Sequence, residues 1–338
     1  MRHPCVAWTR TGGPMAKVCP RCRSTHTADR TWCPTDGSLL VDADAAARRC
    51  GLLLDARWRL HEVVAQGGFG TVYRGTDEVT GEPVAVKVLH PERARDPEFV
   101  QRFVREAHVL GLVQHKGLVG HRSQGHAPEA GWYLVLDWVG GQTMREVLDQ
   151  HQTLSWPQLD LLLTELLAAV QCLHDAEVIH RDIHVGNIHW LVDDTTPAGR
   201  PVLLDFGVAR TVSPTDERLP SGLSELTRPR QVIGSPWSIS PEQVLGGAVD
   251  ARTDLYSVGV LLYECLTGQL PFQAERPGLI MRAHVYEPPP VPSRLRRDAP
   301  PACDDLVLRL LAKRGPDRPQ SAMAVLQDWH QLRSQMPV

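Results

Sequence analysis

The sequence predicts an α+β chain in which a small sheet-rich region precedes a larger helical one, and three observations carry that reading. Short apolar runs separated by glycine-containing turns fill residues 58–89, 3.6-residue periodicity begins near Pro97 and dominates after Thr143, and residues 1–50 show little periodicity of either kind. The 338 residues exceed one small domain and suffice for a two-lobed core with a short appendage.

The organisation follows from the N-terminus. Residues 1–14 read as a disordered tail, with Met15 as a cleaner start, and residues 15–45 are rich in Cys and Pro. Residues 46–56 are expected to be a linker, followed by a domain over 57–334 with lobes at 57–138 and 139–334. No apolar segment at the N-terminus has the length of a signal peptide. The most apolar stretches, Leu159–Leu173 and Leu255–Leu266, are interrupted by Thr164, Glu165, Gly259 and Glu264 and fall short of the ~20 residues that span a bilayer. A cytoplasmic protein is the expectation, with reduced cysteines. A net charge of −3 points to neither nucleic acid nor an anionic membrane as a partner.

In the sheet-rich region, Trp58–Val64, Gly70–Gly75 and Val84–Leu89 read as strands. In the helical region, Leu159, Leu162, Leu163, Leu166, Leu167, Val170 and Leu173 form one face of a helix over Trp156–His174, started by a capping box of Ser155 and Gln158. Residues 211–231 turn polar, with Pro214, Pro220 and Pro229, and read as a long loop. Glu287–Pro292 reads as an ordered loop between helices, and no internal repeat is visible.

Chemistry concentrates at a few places. Gln66, Gly67, Gly68, Phe69 and Gly70 lie between two predicted strands, where glycine lets a hairpin's amides approach a phosphate, although such a hairpin can also be a plain turn. Strand alternation puts Val84, Val86 and Val88 on one face and Ala85 with Lys87 on the other. In the next helix Phe99, Phe103, Glu106 and Leu110 share a stripe; a carboxylate on an apolar stripe needs a partner, and Lys87 is the candidate.

Further along stand Val178-Ile179-His180-Arg181-Asp182-Ile183-His184-Val185-Gly186-Asn187, then Leu203-Leu204-Asp205-Phe206-Gly207, Ser240-Pro241-Glu242, Asp254-Leu255-Tyr256-Ser257-Val258-Gly259 and Asp317-Arg318-Pro319. In this order, from about Arg57 to Leu332, the chain resembles the protein-kinase family, and specifically bacterial serine/threonine kinases of the eukaryotic-like type. The resemblance implies a two-lobed protein-kinase fold, small β-rich lobe first, and a set of roles. Lys87, held by Glu106, would grip the ATP phosphates; Asp205 and Asn187 would bind Mg²⁺ or Mn²⁺; Asp182 would accept the proton of a protein Ser/Thr hydroxyl. Val72 and Ala85 would sandwich the adenine, beside Leu136 and backbone groups of Asp137 and Val139. His180 and Asp254 would brace the catalytic loop, and Glu242 with Arg318 would form a buried ion pair.

Four features depart from the family pattern. Ala65 replaces the first loop glycine, His184 the lysine two residues after the catalytic Asp, His189 an apolar residue under the adenine, and Val185-Gly186 a Pro-containing turn. An active kinase and a nucleotide-binding pseudokinase scaffold are the two readings. Ser235, which matches the Ser/Thr that hydrogen-bonds the catalytic Asp in serine/threonine kinases, and a full activation segment favour protein Ser/Thr over the small molecules of aminoglycoside-type phosphotransferases. Arg181 could pair with a phosphorylated loop residue, Thr227 first and Ser224 second, through autophosphorylation. At the N-terminus, Cys19, Cys22, Cys33 and Asp36 look like a small zinc ribbon holding a structural Zn²⁺, with His26 or Cys50 as alternatives to Asp36.

Overall fold

A computed structural model describes residues 17–18, 25–27, 30, 41–42, 46–66, 70–193, 196–204, 210–211 and 235–334. The chain divides into two compact units, residues 1–95 with 125–134 and residues 96–124 with 135–338.

In the first unit, three two-residue strands, β1 (Lys17–Val18), β2 (Thr25–His26) and β3 (Val41–Asp42), pair antiparallel in the order β2-β1-β3. The main sheet uses β4 (Leu53–Leu54), β5 (Trp58–Gln66), β6 (Gly70–Asp77) and β7 (Pro83–Leu89), followed by β8 (His121–Ala127) and β9 (Gly131–Asp137), of which residues 125–127 and 131–134 belong to this unit, in the order β4-β5-β6-β7-β9-β8. The expected strands are present, each extended by one or two residues. Val84, Val86 and Val88 are fully buried, and Leu60, Tyr73 and Tyr133 are buried with them. Alternation thus gives this unit one apolar layer.

Residues 46–56 are not a free linker. Leu53 and Leu54 pair with Arg59 and Trp58, the Tyr73 hydroxyl donates to the Ala46 carbonyl (3.0 Å), and Ala46 and Leu54 are buried. Asp55 and Ala56 both take positive φ (48° and 53°), the backbone that a tight hairpin demands. The Asp55 carboxylate accepts from the Tyr133 hydroxyl, and Arg57 makes a two-pronged bond to Asp77 at 2.9 and 2.8 Å. Sequence reasoning missed this because two-residue strands carry no periodicity.

The second unit begins with α2 (Pro97–Leu112), preceded in the chain by the short α1 (Pro91–Ala94) of the first unit. Helices α3 (Met144–His151), α4 (Trp156–Asp175), α5 (Pro241–Leu245), α6 (Ala251–Thr267), α7 (Pro277–Tyr286), α8 (Pro301–Leu310) and α9 (Ala322–Ser334) make up most of it. The capping box of α4 is present: Ser155 N–H donates to Gln158 Oε1 (2.9 Å) and Gln158 N–H to Ser155 Oγ (3.4 Å). All seven apolar residues of its expected face are buried. Helix α6 is buried from Thr253 to Leu266, as befits a helix surrounded by others. It therefore supplies a rigid post behind the loop described next. Among the described residues no helix is long and apolar enough to cross a membrane.

Candidate active site

Beyond the short strand β10 (Gln142–Thr143), the loop between β11 (Val178–Ile179) and a 3₁₀ turn (Val185–Asn187) carries the richest polar chemistry among the described residues of the second unit. It is held from below by Asp254, which lies in the first turn of α6 and is fully buried. Asp254 accepts the His180 N–H on Oδ2 (2.9 Å), the Arg181 N–H on Oδ1 (2.7 Å) and His174 Nε2 on Oδ2 (2.9 Å). Arg181 has φ 69°, a left-handed backbone that costs an ordinary residue ~1–2 kcal/mol. Two charge-assisted bonds from consecutive amides hold that conformation.

His180, fully buried, accepts the Asp182 N–H on Nδ1 (3.3 Å) and donates from Nε2 to the Leu204 carbonyl (3.1 Å). Leu204 N–H in turn donates to the Asn187 carbonyl (2.8 Å). The stretch ahead of Asp205 is therefore tied to the loop that carries Asp182. Gln243 of α5 adds a bond to the Arg181 carbonyl (3.1 Å).

The Asp182 carboxylate is the centre of this arrangement. Ser235 N–H donates to Oδ1 (2.8 Å), Asn187 Nδ2 donates to Oδ2 (3.2 Å) and to the Asp182 carbonyl (2.9 Å), and His184 Nε2 lies 3.7 Å from Oδ1. Burial pushes the Asp182 pKa upward, but His184, the Ser235 amide and His180 outweigh it and lower the value to about 2. Because Asn187 Nδ2 faces two oxygens, its Oδ1 is the branch left for a hard cation.

In the first unit, Lys87 and Ala85 lie on the face of β7 opposite the buried valines, and Lys87 is only 9% exposed. Val72 of β6 is in register with Lys87, and Ala65 of β5 with Val72. Gly70 is a glycine by necessity: a Cβ there would stand 2.4 Å from the Val88 carbonyl oxygen. In the second unit, Leu136, Asp137 and Val139 are partly exposed, Asp137 N–H is taken by the Gly120 carbonyl (2.8 Å), and Asp137 Oδ1 pairs with Arg122 (2.5 Å). His189, in β12 (Ile188–Asp193), donates from Nδ1 to the Gly140 carbonyl at 3.3 Å.

Several sequence-derived site residues lie outside the described residues: Gly67, Gly68, Phe69, Asp205, Ser224, Thr227, Cys19, Cys22, Cys33 and Asp36, together with the side chain of Glu106. Among the described residues no cluster of His, Cys, Asp or Glu could hold a metal ion. Sequence reasoning missed His174, and it pointed to Ser235 as a hydrogen-bond partner of Asp182 without showing that the backbone amide makes the bond. His174 was visible as a histidine at the end of α4; the amide, a backbone group, had no sequence signal. The expected Glu242–Arg318 pair is present and two-pronged, at 2.8 and 2.9 Å, and Arg318 lowers the Glu242 pKa against the opposing effect of burial.

The family model for the protein kinase domain matches residues 58–330. The chain belongs to that family. This protein kinase domain is 34% identical to the serine/threonine-protein kinase pkn3 of Myxococcus xanthus, over 81% of this chain and 49% of the relative. It is 36% identical to the serine/threonine-protein kinase PksC of Streptomyces coelicolor, over 81% of this chain and 48% of the relative. The chain thus spans about half the length of these curated relatives. The kinase domain of Mycobacterium tuberculosis PknI shares the fold, with a TM-score of 0.64 and 22% identity over 84% of this chain and 98% of that one.

Proposed function

We propose that the chain is an ATP-dependent serine/threonine protein kinase in which Asp182 accepts the proton of the substrate hydroxyl. The observation that carries this reading is the Asp182 carboxylate, held ionised with both oxygens in defined hydrogen bonds. A carboxylate this acidic is a weak base. That suits phosphoryl transfer, where orienting the hydroxyl in line matters more than pulling off its proton early.

In this reading Lys87, for which Glu106 is the expected partner, binds the α- and β-phosphates, and the glycine-rich segment from Ala65 through Gly70 offers them its amides. Asn187 and Asp205 would hold Mg²⁺, and the Oδ1 of Asn187 fits that use. Mg²⁺ held there would supply positive charge to offset that of the phosphate oxygens. Because Asp137 N–H is spent on Gly120, the Asp137 group that meets the adenine edge is its carbonyl, beside the Val139 amide. His189 lies under the ring in place of an apolar floor. Ser235, bonded to the base, marks a protein Ser/Thr substrate. Arg181 receives a phosphate at Thr227 or Ser224, and His184 serves beside the base.

The N-terminal segment is read as a zinc ribbon docking on partners. The pairing of β1 with β2 supports this, since the connection between them, residues 19–24, carries Cys19 and Cys22. A cytoplasmic location completes the reading. The deciding experiment is transfer of radiolabelled phosphate from Mg²⁺-ATP to a generic protein substrate by the full chain, beside Asp182→Asn. Incorporation by the wild type at the level of the Asp182→Asn protein would leave a nucleotide-binding scaffold in its place. Metal analysis of the full chain finding no zinc would remove the ribbon.

A further inference from the structure

His184 and Gly186 both differ from the family's loop, and in the structure they touch. Gly186 N–H donates to His184 Nδ1 at 3.0 Å. A backbone amide can only donate, so Nδ1 must offer a lone pair, and the single proton of the neutral ring must sit on Nε2. That nitrogen is the one 3.7 Å from Asp182 Oδ1. At this distance the N–H stands beside the carboxylate without being consumed by it as a direct hydrogen bond.

The missing side chain leaves the His184 ring its place. Gly186 is not among the residues with positive φ, so alanine would fit the backbone. Its Cβ, however, would stand 2.9 Å from Cε1 and 3.0 Å from Nδ1 of His184, closer than the ring can accept. The His184 backbone belongs to the same turn, since its carbonyl accepts the Asn187 N–H (2.9 Å), and Asn187 returns to Asp182 through its side chain. Base, histidine, glycine and asparagine form one closed circuit.

Resting on the reading of Asp182 as the base, we propose that Gly186 is a positioning residue: its amide and its missing side chain fix the tautomer and rotamer of His184, so that Nε2–H is presented beside the Asp182 carboxylate. His184 then acts as a neutral donor to an oxygen of the reacting groups, and the two departures from the family loop are a matched pair.

Two measurements on the full chain test this. In ¹⁵N-labelled protein the ring nitrogens report the tautomer, with the His184 signals assigned by their loss in His184→Lys. The wild type should carry its proton on Nε2, and Gly186→Ala should give a tautomer mixture. In phosphate transfer, Gly186→Ala should lower kcat about tenfold, the worth of roughly one hydrogen bond, with the KM for ATP little changed. The same substitution in a His184→Lys background should cost nothing further, because lysine makes no use of the Gly186 amide. An equal loss in both backgrounds, or an Nε2–H tautomer retained in Gly186→Ala, would overturn the proposal. If the wild type transfers no more phosphate than Asp182→Asn, the base reading falls while the tautomer measurement still decides the pairing. If Gly186→Ala does not fold, a wild-type proton on Nδ1 overturns the proposal and one on Nε2 supports it.

Discussion

The loop from Ile179 to Asn187 and the strand pair β6–β7 each position residues assigned to the same chemistry, and they do so by opposite means. On the strands, Lys87 is placed by register and alternation: three buried valines face one way, so Ala85 and Lys87 must face the other. In the loop no period sets the backbone, and although Ile183 and Val185 are buried, the polar residues between them are fixed one by one. Asp254, His174, His180, Gln243 and Asn187 hold it through individual hydrogen bonds, against a left-handed residue at Arg181. Strand placement is shared among many weak contacts and should degrade gradually. Loop placement rests on a few strong ones and should fail at single atoms.

The sharpest way to break this contrast is Asp254→Ala. It strands one buried and one half-buried amide and the His174 ring while the left-handed turn loses its support, so the expected loss is roughly 3–9 kcal/mol, summing ~1–3 for each of three orphaned donors. Denaturant unfolding would measure it, and phosphate transfer should vanish in whatever folds. Next comes Glu242→Ala, which leaves the fully buried Arg318 guanidinium without its carboxylate; about 3–5 kcal/mol is expected. The same unfolding curves on Arg318→Met and on the double variant should show strong non-additivity.

A smaller effect tests the strand side. Gly70→Ala must push the β6 backbone away from Val88, at a cost of about 1–3 kcal/mol. Hydrogen exchange should rise in β6 and β7 and stay unchanged at α6. Equal loss of protection in both would remove the distinction between the two regions. The smallest effect concerns acid. The folded state holds Asp182 at about 2, below its ordinary value of 3.8, so the ionised carboxylate favours folding above about pH 4 and this contribution fades as pH falls toward 2. At pH 3 the stability difference between wild type and Asp182→Asn should have moved by about 1 kcal/mol from its neutral value. A difference that stays flat from pH 5 to 2 would mean that the loop does not hold the carboxylate ionised.

Much of this was legible in the residues. The stripe of α4, its capping box, and the alternation around Lys87 follow from local periods of 3.6 and 2, which any chain with these side chains would express. The order of short motifs led to Asp182, Asn187 and the Glu242–Arg318 pair. What could not be read lies where a group's role depends on a residue distant in the chain. Residues 46–56 look like a linker until Trp58 and Tyr73 give Leu54 and Ala46 somewhere to bind. The Ser235 amide has no side-chain signature, and the pairing of Gly186 with His184 depends on one rotamer. Composition and periodicity determined the fold class and the roster of chemical groups, because burial pattern is a local property of the chain. Only the tertiary structure decided which hydrogen bonds those groups make, because that depends on positions to within a few tenths of an ångström, which residues such as His184 and Asp254 acquire only when packed together.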